Sequence, residues 1–199
     1  MEMKSSQGQL FPEHSISDGD NIPTEIKLTK EVLIKWQRRV QFHQSKLFKR
    51  ESSSPVQKSL IENNERKDPS IYLNPLKLTP LPLSFWRWPS NPHEGPALYL
   101  VMDRPTNFNT HLLLYIGETI AADRRWKGDH DCKSYLAAYT EALSKAGLES
   151  QLSIRFYTDV PEETKHRRKL EQHLIQLWLP PFNKETRGHW ATPFTANIK

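Results

Sequence analysis

Cysteine is almost missing from this 199-residue chain: Cys132 stands alone. That excludes an intrachain disulfide and any zinc site built from several thiolates of one chain. A reducing, cytoplasmic setting is the natural expectation. Long apolar runs are missing too. No window reaches the roughly 18 residues of a membrane span. The opening Met1-Glu2-Met3-Lys4-Ser5-Ser6 has no apolar signal-peptide core, so no membrane partner is expected. Apolar residues are 36% of the chain and mean hydropathy is −0.71. Such a composition suits one compact domain with polar extensions rather than one large core. Oligomeric state leaves no trace in the sequence.

Positive charge is present in excess. The net charge is +5 and the pI about 9.3, which suits a polyanionic partner. Its distribution is uneven. Within residues 1–26, Lys4 faces Glu2, Glu13, Asp18, Asp20 and Glu25, whereas residues 27–50 set eight Lys/Arg against Glu31 alone. Residues 1–26, without apolar period, read as a disordered acidic tail. Residues 27–51 read as a basic helix capped by Thr29, with Leu33, Trp36, Val40 and Leu47 near one face. Lys35, Arg38 and Arg39 lie on the remaining surface, either along phosphates or simply in solvent.

Residues 52–93 are proline-rich yet carry Ile71, Tyr72, Leu73, Leu76, Leu78, Leu81, Leu83, Phe85, Trp86 and Trp88. Proline removes backbone donors. The expectation is an extended linker packed onto the domain, with Phe85-Trp86-Arg87-Trp88 either stacking on bases or filling a core edge. Regular structure follows. Strands are predicted at 97–103, 111–117 and 151–157, and helices at 119–127, 133–146 and 162–179. Gly147 and Pro180-Pro181 supply stop signals. The order β-β-α-α-β-α predicts an α+β domain over 94–187: a small antiparallel three-stranded sheet flanked by helices, with a helical, Pro-rich N-terminal extension and a C-terminal tail at 188–199.

The residues with chemistry to offer are spread along this domain. Tyr99 lies in the first strand. Tyr115-Ile116-Gly117 ends the second, where glycine allows close approach to the backbone. A helix starting next would offer amides to a phosphate. Arg124 and Arg125 follow, and an arginine fork suits two oxygens of one phosphate. Glu171 sits beside apolar helix positions, where a carboxylate is costly unless paired or bound to metal. One glutamate suffices for Mg²⁺, which keeps several waters.

These residues together resemble the GIY-YIG nuclease superfamily. Ala97-Leu98-Tyr99 corresponds to the first signature tripeptide and Tyr115-Ile116-Gly117 to the second. Arg125 falls eight residues after Gly117, at the position of the family's arginine, and Arg125-Trp126-Lys127 resembles homing-endonuclease members. Glu171-Gln172-His173-Leu174-Ile175, then Pro180-Pro181-Phe182-Asn183, matches the metal-binding glutamate and the asparagine twelve residues on. Ala97-Leu98 replaces Gly-Ile, the hairpin loop is longer than usual, and Asp129-His130 stands where many members have a histidine.

The resemblance implies a metal-dependent DNA endonuclease with the following roles. Glu171 holds Mg²⁺ or Mn²⁺. Tyr99 positions or deprotonates the attacking water, which requires a lowered phenol pKa, and Tyr115 hydrogen-bonds phosphate or water. Arg125 clamps the phosphate. Gly117, His130 and Asn183 support the site. Arg124, Lys127, Arg167 and Arg168 join Lys35, Arg38 and Arg39 as DNA contacts, with DNA rather than RNA as partner. The alternative is a catalytically silent nucleic-acid-binding or protein-interaction module on the same fold.

Overall fold

A computed structural model describes residues 28–49, 73–90, 92–127 and 131–194. The acidic tail expected at 1–26 and the linker residues 52–72 lie outside the described residues, as does His130.

Helix α1 spans Lys30–Phe48, with the Thr29 hydroxyl accepting the Val32 N–H. Strands β1 (Ala97–Asp103) and β2 (Leu112–Thr119) form an antiparallel hairpin. A single turn of helix, α2 (Ala122–Arg125), follows. Then come α3 (Asp131–Lys145), β3 (Leu152–Tyr157) and α4 (Thr164–Trp178). The protein is therefore mixed α+β, with a three-stranded antiparallel sheet in the order β2-β1-β3. β2 runs two residues beyond its expected end, and α2 is correspondingly shorter than the helix expected at 119–127.

β1 is buried on both faces. Strand alternation sends Ala97, Tyr99 and Val101 to one core and Leu98, Leu100 and Met102 to the other. The first core is closed by Tyr135, Leu136, Tyr139 and Leu143 of α3, and the second by Leu170, Leu174, Ile175 and Trp178 of α4. Gly147, at φ +65°, ends α3 and lets the Leu148 N–H reach the Leu143 carbonyl.

Both segments outside the hairpin-to-α4 unit complete these cores. Trp36 of α1 stacks on Phe182 and meets Phe194 edge-on. Leu47 and Phe48 join the second core. The basic helix is thus a packed part of the domain. Residues 188–194, expected in a tail, instead bury Trp190 and Phe194, and the Trp190 indole donates to the Leu179 carbonyl. In the proline-rich segment, Leu81 pairs with Ile154 and Arg155 donates to the Pro75 and Leu78 carbonyls, covering the free edge of β3. Phe85 is buried against Phe156, whereas Trp88 is exposed.

Candidate active site

The site grows out of one pairing. Tyr99 and Gly117 face each other across β1 and β2. A Cβ built on Gly117 would lie 2.3 Å from the Tyr99 ring and hydroxyl oxygen, so only glycine lets the ring cross the strand there. The close approach expected at this glycine is made by Tyr99. Period-two alternation puts Tyr115 on the same face, its ring stacked 5.8 Å from that of Tyr99. Trp126 meets Tyr99 edge-on at 6.0 Å.

Arg125 comes from α2. Its Nε donates to the Tyr99 hydroxyl at 3.2 Å and its guanidinium lies over the Tyr99 ring at 5.7 Å. The Tyr99 and Tyr115 hydroxyls are in turn hydrogen-bonded to each other. Tyr99 is completely buried, and burial first, then Tyr115, pushes its pKa far above the ordinary phenol range; Arg125 opposes this without reversing it. The lowered pKa expected of Tyr99 is thus reversed in direction. Tyr115 is half-buried and is pushed up to about 12, chiefly by desolvation.

Glu171 reaches the same region from α4, close enough for its charge to act on Tyr115. Its Oε1 accepts the Glu118 N–H at 3.1 Å. Among the described residues no hydrogen bond is made by Oε2. Desolvation, with the carboxylates of Glu118 and Glu185 adding to it, raises Glu171 to about 7. Such a group gains from a nearby cation. Among the described residues no three His, Cys, Asp or Glu cluster as metal ligands. The donor set is one half-buried carboxylate, which fits a hard dication that keeps most of its waters.

Asn183 fixes the strand between them. Its Oδ1 accepts the Ile116 N–H at 2.9 Å and its Nδ2 donates to the Ile116 carbonyl at 2.8 Å. The asparagine acts as a neighbouring strand would, pinning the backbone that carries Tyr115 and Gly117.

Two expectations are corrected. Arg167 lies inside the protein: its side chain is fully buried, with Nε on Glu118 Oε2 at 2.9 Å and other nitrogens on the Pro161 and Glu162 carbonyls and the Thr164 hydroxyl. Every direction of its fork is used, so it holds the start of α4 to β2 and has no reach to DNA. At the start of the helix after β2, the Ala122 N–H is taken by the Gly95 carbonyl and the Ala121 N–H by Thr119 Oγ1, so neither of these amides is open to a phosphate. Lys35, Arg38, Arg39, Arg124, Lys127 and Arg168 are exposed. Arg124 contacts Asp123, and Arg168 contacts Glu118. Sequence reasoning missed Glu118 as the anchor of two arginines and Glu185 as a neighbour of Glu171; only the position of Glu118 directly after Gly117 hinted at the first.

Tyr99, Tyr115, Arg125 and Glu171, contributed by four elements, thus meet at one end of β2. No family model, curated protein or solved structure matches the chain. No helix among the described residues is long and apolar enough to cross a membrane.

Proposed function

We propose that this protein is a metal-dependent endonuclease of the GIY-YIG type, hydrolysing DNA phosphodiester bonds. The observation that carries the reading is the meeting of Tyr99, Tyr115, Arg125 and Glu171, which are up to 72 positions apart in the sequence. Glu171 would hold Mg²⁺ or Mn²⁺, which when bound supplies a Lewis acid for the phosphodiester and acidifies a water. Arg125 is exposed and presents a cationic guanidinium to phosphate oxygens. Tyr115 offers a neutral hydroxyl at the edge of the site. Tyr99, buried and neutral, orients Arg125 and Tyr115 rather than serving as a base.

Supercoiled plasmid and branched DNA with Mg²⁺ provide the test. The wild type nicks at least one substrate, EDTA abolishes this, and Glu171→Gln loses roughly a hundredfold or more. Glutamine keeps an acceptor for the Glu118 N–H, so the variant folds. Cleavage by Glu171→Gln at the wild-type rate refutes the assignment. The burial of Tyr99 favours a second reading, a nucleic-acid-binding or protein-interaction module without catalysis. It predicts no nicking by the folded wild type on any substrate.

A further inference from the structure

Helix α1 buries Leu33, Trp36, Val40, Leu47 and Phe48 and turns a different face outward. That face carries Lys35, Arg38, Arg39, Phe42, Lys46 and Lys49, recurring every three to four residues and therefore aligned, with Glu31 at its N-terminal end as the one carboxylate of the helix. Phe42 is 71% exposed, in the middle of the row, with Lys46 Nζ 5.1 Å from its ring centre. Among the described residues none of these five cations has a carboxylate at ion-pair distance. A solvated helix face ordinarily supplies such partners, as Glu141 does for Lys145 on α3 at 2.8 Å. The row spans about 21 Å at the helical rise.

We propose that this face of α1 binds single-stranded nucleic acid, its cations holding successive phosphates and Phe42 stacking on an unpaired base. Charge complementarity selects a polyanion. The exposed ring selects an unpaired strand, because bases within a duplex are already stacked and present no open face to it. An anionic membrane fits less well: α1 has turned its apolar face into the protein and leaves only Phe42 and the short Val32 side chain to enter lipid. Binding at α1 requires neither metal nor Glu171, so the inference goes beyond the cleavage reading.

Fluorescence anisotropy of the full chain in EDTA tests it, with labelled oligo(dT), a duplex of equal length, and phosphatidylcholine/phosphatidylserine vesicles as probes. Phe42→Ala is expected to weaken oligo(dT) binding about tenfold and to leave duplex binding nearly unchanged, while Phe42→Trp restores the lost affinity. Arg38→Gln with Arg39→Gln weakens both nucleic acids and lowers the single-strand salt slope by about 1.4. Wild-type affinity of Phe42→Ala for oligo(dT), equal losses on duplex and single strand, or Phe42-dependent vesicle binding without oligo(dT) binding each overturn the proposal. Absence of nicking alongside Phe42-dependent binding sinks the nuclease assignment and leaves this site standing. Glu171-dependent nicking with Phe42-independent binding does the reverse.

Discussion

At the scale of single residues, Gly117 and Tyr99 define each other. The ring that fills the space over Gly117 is held by the Arg125 nitrogen, the Tyr115 ring and the edge of Trp126. It cannot swing aside without breaking all three. Gly117→Ala is therefore expected to lower stability by about 1–3 kcal/mol and to reduce any cleavage by displacing Arg125; a thermal melt superimposable on wild type would show that the ring has room to move. Asp103 offers a second test at this scale. It is fully buried, and its carboxylate accepts the Tyr139 hydroxyl at 2.7 Å and the Gln151 N–H at 2.8 Å. Burial outweighs these bonds and raises its pKa to about 6 from an ordinary 3.8. The native state therefore holds the proton more tightly than the unfolded chain. The stabilisation is complete below about pH 4 and is lost as pH rises through 6. Asp103→Asn removes the dependence, and its stability relative to wild type should improve by about 2–3 kcal/mol from pH 4 to pH 7. The buried Gln37 Oε1, which has no hydrogen-bond partner, can then accept the Tyr139 hydroxyl. Parallel urea-unfolding midpoints across that range would rule the account out.

At the scale of elements, the outer edge of β2 is closed by side-chain amides. Gln44 exchanges two hydrogen bonds with the Leu113 backbone, Asn183 exchanges two with Ile116, and the Phe182 N–H takes the Leu114 carbonyl between them. Asn183→Leu strips Ile116 of both partners and is expected to cost about 2–5 kcal/mol. Hydrogen exchange should show faster exchange localised at Ile116; unchanged protection there would mean that another group closes the edge. These clamps also mark what could be read from the sequence. The strands and the longer helices follow from local pattern: Thr29 before α1, the alternation of Leu152, Ile154 and Phe156, and the stop at Gly147. Tyr115, Glu171 and Asn183 were legible because of their neighbours in the chain. Gln37, Gln44 and Asp103 were not, because a buried polar residue has no period of its own and its partner lies far away in sequence. Arg167 was misleading for a related reason. Inside Lys165-His166-Arg167-Arg168-Lys169 it is chemically like its neighbours, and only the turn of α4 sends it inward to Glu118.

At the scale of the whole molecule, the span that resembles a nuclease domain does not enclose its own core. Residues 94–187 contain the sheet and three of the helices, but Leu33, Trp36, Val40, Leu47, Phe48, Trp190 and Phe194 come from outside it. Burying one such side chain contributes roughly 1.5–3 kcal/mol, so together the seven rival the entire net stability of a typical domain, about 5–15 kcal/mol. The fragment would also leave Leu113 without Gln44 and the Leu179 carbonyl without Trp190. A fragment of residues 94–187 is thus expected to lose near-ultraviolet dichroism, bind hydrophobic dyes and show no nicking, whereas residues 28–199 unfold cooperatively. A well-dispersed amide spectrum from the short fragment would show that α1 and the C-terminal residues are accessories. If the fragment fails as expected, α1 has two duties on opposite faces. One completes the cores beside the candidate active site, and the other presents Phe42 and its cations outward, so substitutions that separate the duties must be confined to the exposed row.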